Sequence, residues 1–326
     1  FAVQVYEKGN LLSLVTVSGS HGSHVASIAA AHFPGVLHRD GVAPGARILS
    51  VKIGDTRLGG SSSGVGEMRG VAACAQYGVD IMNASWGGAS QYQDGQHSGA
   101  RIYNLLVEKY GVTAFISAGN GGPALSTLGS PGGEASSVIG VGAYVSSEMA
   151  RVLYSQTSEA PSTAYQFSAR GPLKNGDLGV DIMGPGGAHA SLAYDALRNS
   201  QRYHGTSMSS PSVAGLGALL VSAAKQSKVE HSPARIRAAL MNSARVVKDV
   251  EVFAQGAGLV QALPAWEHLK KTAKQSEWNH FYTVTTRNNT FRSGPGLYLR
   301  GDIPVGKKEV RFDISPKFSA AVNAPE

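Results

Sequence analysis

Three short stretches of the sequence carry side chains that could perform acyl chemistry together. His21-Gly22-Ser23-His24 offers two imidazoles, Ser117-Ala118-Gly119-Asn120 a primary amide, and Gly205-Thr206-Ser207-Met208-Ser209-Ser210-Pro211 a hydroxyl at the expected start of a helix. An alcohol becomes a nucleophile when a neighbouring imidazole takes its proton, and the tetrahedral oxyanion that follows needs N–H donors aimed at it. Ser207 is therefore the candidate nucleophile, a histidine of the first stretch its base, and Asn120 an oxyanion donor beside backbone N–H groups at the helix start. Other chemistries find less support. His21 and His24 are three apart, but no His-Glu-x-x-His pattern and no cysteine partner accompanies them, so no metal is expected. Gly64-x-Gly66 followed by Gly70 misses the dinucleotide fingerprint by one residue, and no cofactor is expected.

The elements that must position these residues alternate along the chain. Ala2-Tyr6 and Leu11-Val17 read as strands joined at Lys8-Gly9-Asn10, and Val25-His32 as a tightly packed helix. Strands are expected at Arg47-Ile53, Asp80-Ser85, Val112-Ser117 and Ser137-Ala143, with helices at Gly66-Tyr77 and Gly99-Tyr110. Such alternation predicts an α/β fold, a three-layer, mostly parallel sheet with helices on both faces. Ligands of such sheets sit at the carboxyl ends of the strands, and two of those ends carry Ser85-Trp86-Gly87-Gly88 and Ser117-Ala118-Gly119-Asn120. A helix over Ser207-Lys225 is so rich in Ser, Ala and Gly that it must lie in close contact with neighbours. Helices at Pro233-Ala244 and Ala265-Ala273 follow. Phe281-Thr286, Gly296-Arg300 and Glu309-Ile314 are β-like, which places a boundary between a domain over 1–271 and a second segment, 272–326, that begins a β domain.

Composition narrows the class. The chain has 326 residues, 42% hydrophobic and 16% charged, without an apolar run approaching membrane-span length, which predicts a soluble globular protein with no membrane partner. Its net charge of +7 falls entirely in residues 225–326. These basic residues are scattered singly, so the expectation is a solvated surface or contact with an acidic part of a larger assembly rather than nucleic acid. The single cysteine, Cys74, excludes an internal disulfide framework and fits a small buried helix residue. A start at Phe1, without Met or a signal pattern, reads as a cut. Asn83-Ala84-Ser85 matches a glycosylation sequon on an expected core strand and reads as chance, while His204 reads as an exposed loop histidine.

From about Ser20 to Lys270 the sequence resembles the subtilisin-like serine proteases, the subtilases, whose catalytic order is Asp, His, Ser with a separate oxyanion Asn. The resemblance implies that His21 is the base, His24 its packing neighbour, Ser207 the nucleophile and Asn120 the oxyanion donor. It further implies that Ser85, Trp86 and Gly87, with Ser117, Ala118 and Gly119, bind an extended peptide in the manner of an added strand. Within the family the tripeptidyl-peptidase II branch is the most similar, through Gly41-Val42-Ala43-Pro44-Gly45-Ala46, Lys52-Ile53-Gly54-Asp55-Thr56-Arg57-Leu58, Pro131-Gly132-Gly133 and Val252-Phe253-Ala254-Gln255-Gly256; even Leu297-Tyr298-Leu299-Arg300 resembles that branch's next domain. That likeness implies release of tripeptides from free amino termini of peptides or unfolded proteins, a cytoplasmic location and a homo-oligomer.

Two departures stand against the family pattern. Subtilases place the aspartate before the histidine, yet residues 1–20 contain no Asp and a single acidic residue, Glu7. A chain beginning inside the long insertion of the tripeptidyl-peptidase II branch explains this. A pseudoenzyme that only holds an extended peptide, or an aspartate recruited from Asp40, Asp55, Asp80, Asp94, Asp177, Asp181 or Asp195, are the alternatives. The branch also grips the substrate's ammonium with two glutamates, and those places hold Ser62 and Gly88; Glu67 and Asp94 lie nearby but out of register. An endopeptidase without selection for the amino terminus is thus a second reading.

Overall fold

Thr113–Ser117 is buried at every position, which only a strand covered on both faces can be, and its side chains divide between two cores. Ala114 and Ile116 join one apolar cluster with Met82 and Val107, whereas Phe115 joins another with Val213, Leu220 and Leu240. The computed structural model describes residues 2–16, 19–55, 58, 60–90, 92–192, 199–275, 280–286, 294–298 and 310–318. In chain order the elements are β1 (Ala2–Tyr6), β2 (Leu11–Val15), α1 (Ser20–Ala30), β3 (Gly54–Asp55), β4 (Ser61–Ser62), α2 (Gly64–Gln76), β5 (Ile81–Ala84), β6 (Gly88–Ala89), α3 (Ser98–Tyr110), β7 (Thr113–Ser117), β8 (Gly129–Ser130) and β9 (Ile139–Val145). They continue with α4 (Ser147–Tyr154), β10 (Thr163–Ala164), β11 (Ile182–Pro185), β12 (Gly187–Ser191), β13 (Ser200–His204), α5 (Thr206–Ser227), α6 (Pro233–Asn242), α7 (Val252–Gln255), α8 (Ala262–Thr272), β14 (His280–Thr286) and β15 (Phe312–Phe318). Two short 3-10 turns, Glu7–Gly9 and Leu37–Arg39, complete the set.

The central sheet runs β5, β7, β9, β11 in parallel, with β10 antiparallel beside the end of β9. α2 and α3 cover the face that carries Met82, Ala114 and Ile116; α5, α6 and α8 cover the face that carries Phe115, Ile139 and Val141. This is the expected three-layer arrangement. α5 is long and apolar enough by composition to cross a membrane, yet most of it is buried as the core helix. Its glycines explain how closely its neighbours approach. A Cβ on Gly215 would lie 2.7 Å from the Val42 side chain and 3.0 Å from the Ala29 carbonyl, and one on Gly217 would lie 2.8 Å from the Phe115 ring.

The structure corrects several boundaries. Arg47-Ile53 is not a strand: among the described residues no neighbour pairs with it, and Ile48, Leu49 and Val51 are exposed. A strand without a partner has nowhere to direct its N–H and C=O groups, and β5, whose described partner is β7, keeps one edge open. The helix expected at Val25-His32 begins at Ser20 and ends at Ala30, so His21 lies in its first turn. α6 stops at Asn242 rather than Ala244. The strand expected at Glu309-Ile314 lies at Phe312–Phe318 and pairs antiparallel with β14, while Gly294 makes only an isolated bridge to Thr286 and Gly296–Tyr298 form no strand. Val17, Thr56, Arg57, Asp195, residues 276–279 of the expected boundary, Leu299, Arg300 and Glu309 lie outside the described residues.

Candidate active site

Ser207 occupies the first turn of α5 and is half-buried, whereas Ser209 and Ser210 behind it are fully buried. The same helix contains Pro211, four residues later, which has no N–H to donate to the Ser207 carbonyl. A side chain from the sheet fills the vacancy: Ser85 Oγ, just beyond β5, donates to the Ser207 carbonyl at 2.7 Å. Asn83 extends the link, donating from Nδ2 to Ser85 Oγ at 3.2 Å and accepting at Oδ1 from Ser210 Oγ at 2.7 Å. The carboxyl end of β5 is thereby fastened to the turn that carries the hydroxyl.

Asn120 is fastened to the same turn from β7. Its Oδ1 accepts from both the N–H and the hydroxyl of Thr206, each at 2.9 Å, and Thr206 Oγ1 accepts in turn from the Gly119 N–H at 3.2 Å. These bonds fix the amide's orientation and leave its NH₂ free to donate. The position a Cβ would take on Gly205 lies 3.4 Å from Asn120 Nδ2 and 3.6 Å from the Ser207 nitrogen, so the two donors flank one small volume. Two N–H donors converging beside a hydroxyl at a helix N-terminus are the equipment that stabilises an oxyanion.

His21 sits on α1, which packs against α5 and against the β12–β13 hairpin. Although the residue is exposed overall, enough protein surrounds its ring that desolvation lowers its pKa below 6.5 and favours the neutral, proton-accepting form. Among the described residues neither Ser207 nor any carboxylate is hydrogen-bonded to His21. His24, one turn further, is fully buried, and burial lowers its pKa as well; its Nε2 lies 2.9 Å from the Gln201 carbonyl.

The remaining predicted site residues divide by exposure. Ser85 and Trp86 are half-buried and Gly87 is exposed, which leaves that strand end open to an extended ligand. Ser117 and Ala118 are buried, Ala118 exchanges both backbone groups with Val141 and Gly129, and Gly119 spends its N–H on Thr206 and its carbonyl on Ala169. Ala118 and Gly119 thus position Asn120 with backbone groups already engaged. The strand end continues into β6, where Gly88 pairs with Ser130. Sequence reasoning missed what surrounds this stretch. His97 accepts the Ala100 N–H at Nδ1, so Nε2 carries the hydrogen and meets Ser130 Oγ at 2.6 Å; the wholly buried Glu134 carboxylate lies 2.7 Å away, off the hydrogen-bonding direction. Ser62 Oγ donates to Glu67 Oε1 at 2.5 Å. Thr206 and Pro211 were the legible signals for the first turn of α5, since one supplies a side-chain donor there and the other a missing one.

Among the described residues no group of three or more His, Cys, Asp or Glu side chains could hold a metal. A cavity of about 900 Å³ lies apart from Ser207, between α3, α6 and β14.

This site and fold define a class. The Subtilase family profile matches residues 2–274, and the chain belongs to that family, whose members are serine peptidases acting on peptide substrates. Among individual proteins it is similar to tripeptidyl-peptidase 2 of Arabidopsis thaliana, 41% identical over 326 residues, and to that of Caenorhabditis elegans, 39% identical over 324 residues; each alignment covers 98% of this chain and 23% of the relative. Pyrolysin of Pyrococcus furiosus is 33% identical over 250 residues, 71% of this chain and 18% of that one. A crystal structure of tripeptidyl peptidase 2 superimposes with a TM-score of 0.73 at 36% identity, covering 88% of this chain and 22% of that one. The chain thus spans about a quarter of the length of the tripeptidyl peptidases it matches.

Proposed function

We propose that this subtilase domain cleaves peptide bonds through an acyl-enzyme on Ser207 and releases tripeptides from free amino termini. His21 takes the Ser207 proton as the hydroxyl attacks the carbonyl, and returns it to the leaving amine. Asn120 Nδ2 and the Ser207 N–H receive the oxyanion. The observation that carries this reading is the first turn of α5, where Asn120 is locked by Thr206 with its donor group free beside the only half-exposed serine of the motif. The extended substrate lies along Ser85, Trp86 and Gly87.

Selection for a free terminus is supported by two carboxylates near His97, the residue that meets Ser130 opposite Gly88. Ser62 and Gly88 bear no charge, but Glu67 reaches Ser62, and Glu134, buried without a hydrogen-bond partner, stands beside His97. From Ser85 to Gly88 is three residues, about 10 Å of extended chain, the reach of a tripeptide. Glu67 is half-buried and within reach of an ammonium, while Glu134, wholly buried against His97, contributes only negative potential from beneath. Assembly into homo-oligomers and a cytoplasmic location belong to the same proposal and rest on the family resemblance alone.

Paired peptides with free and acetylated amino termini test it in the full-length protein. Cleavage three residues from the free terminus, lost on acetylation and weakened through KM by Glu67→Gln, is the expected result. Equal cleavage of both peptides at internal bonds would identify an endopeptidase instead.

A further inference from the structure

We propose that His24, Tyr203 and Ser20 form a clamp that sets the His21 imidazole against Ser207; this rests on the roles proposed above for those two residues. Ser20, His24 and Ser27 are spaced by four and three residues, so they form one stripe along α1. All three meet the β12–β13 hairpin. Ser20 Oγ and Tyr203 OH lie 2.6 Å apart, His24 Nε2 lies 2.9 Å from the Gln201 carbonyl, and the Ser191 N–H donates to Ser27 Oγ at 3.1 Å. The Tyr203 ring also packs on the His24 ring, with centroids 4.5 Å apart.

The hairpin is continuous with the nucleophile's turn. β13 ends at His204, the Gly205 N–H donates to the Gly186 carbonyl at 2.9 Å, and Ser207 follows two residues later. One ribbon therefore carries Gln201 and Tyr203, which hold the helix of the base, and ends at the helix of the nucleophile. The other end of α1 is held independently, where the Ala29 carbonyl approaches Gly215 of α5. His21 follows Ser20 directly and is turned about a quarter of the way around the helix from the stripe. Any tilt of the first turn of α1 would carry its imidazole with it.

His24 itself argues that this contact is selected for geometry. It is fully buried, its Nε2 meets the Gln201 carbonyl of β13, and its ring also faces the Ala188 backbone of β12, so its polar contacts are both to the hairpin. A leucine would fill similar space but could not supply the Nε2–H bond that fixes α1 to Gln201. His24, Tyr203 and Ser20 are positioning residues, acting on substrate only through His21.

The test uses the full-length protein, with active sites counted by a serine-directed fluorophosphonate so that kcat is expressed per titrated site. His24→Leu is expected to lower kcat per site by about tenfold or more, because small misplacements of reacting groups are costly, with KM unchanged. His24→Gln, whose amide can still donate to Gln201, should recover most of that loss. Tyr203→Phe and Ser20→Ala, which break one hydrogen bond from either side, should each lower kcat per site and be non-additive in the double variant. A purely structural contact would reduce the number of titrated sites and leave kcat per site unchanged; that result in His24→Leu overturns the clamp. If His24→Leu yields no titratable protein, Tyr203→Phe decides, an unchanged kcat per site overturning it. Ser207→Ala runs alongside: surviving activity would remove the nucleophile assignment, whereas its loss with unaffected clamp variants would remove the clamp alone.

Discussion

The Ser207 carbonyl is where helix chemistry and catalytic geometry meet. Pro211 removes its helical donor and Ser85 replaces it, so Ser85→Ala leaves that carbonyl without either. The expected cost is about 1–3 kcal/mol, read as a lowered urea midpoint with an unchanged slope. Asn120 is tested by separating its two ends. Asn120→Ala removes both and should lower kcat by roughly 10²–10³ with KM little changed. Asn120→Asp keeps the acceptor for Thr206 and loses the donor, and should forfeit the rate while retaining stability better than Ala. An effect confined to KM in both would move Asn120 from chemistry to binding. His24 gives a pH dependence. Burial lowers its folded pKa below 6.5, so the unfolded chain binds the proton first as pH falls. That contribution to stability is complete above pH 6.5 and declines as the pH drops through the interval between the two pKa values. Denaturation midpoints across that range should fall less steeply in His24→Gln.

Among the elements, α1 and α5 bring the chemistry together through a glycine. Gly215→Val would drive a branched side chain into Val42 and the Ala29 carbonyl, destabilising the fold by about 1–3 kcal/mol and displacing α1. Thermal unfolding and kcat should both report it. How far these elements could be read beforehand follows from what holds each one. β7, β9, α3 and α5 are specified locally, by apolar periodicity or by small residues that only a packed helix favours, and their ends fall within a few residues of expectation. Arg47-Ile53 has the composition of a strand, but a strand also needs a neighbour, which local composition does not encode. The β12–β13 hairpin was illegible for the opposite reason: Gly187-Ala188-His189-Ala190-Ser191 alternates nothing larger than alanine with glycine and polar residues, and cross-strand pairing with Ser200–His204 holds it. In the candidate site, Ser207 and Asn120 were visible because their motifs are contiguous. Glu134 was not, since its proximity to His97 depends on the packing of separate segments.

At the scale of the molecule, among the described residues β5 pairs with β7 alone, and Ile48, Leu49 and Val51 are exposed in a segment that leads to Ile53 against α2. No aspartate precedes His21 in the sequence, and a base without a carboxylate lacks the group that fixes its tautomer and stabilises its imidazolium. Residues 1–326 alone should therefore show peptidase activity near background, rising when a polypeptide bearing an aspartate on a strand is supplied in cis or in trans. His21 should titrate below 6.5 in the isolated chain and move upward when that carboxylate arrives, as its NMR titration would show. Ser207 is the proposed nucleophile on which every other role in the site depends. The most direct measurement is peptide mapping of the full-length protein after reaction with a serine-directed fluorophosphonate. The adduct is predicted on Ser207, the half-exposed hydroxyl at the start of α5; an adduct on Ser209 or Ser210, or labelling that survives Ser207→Ala, would contradict it.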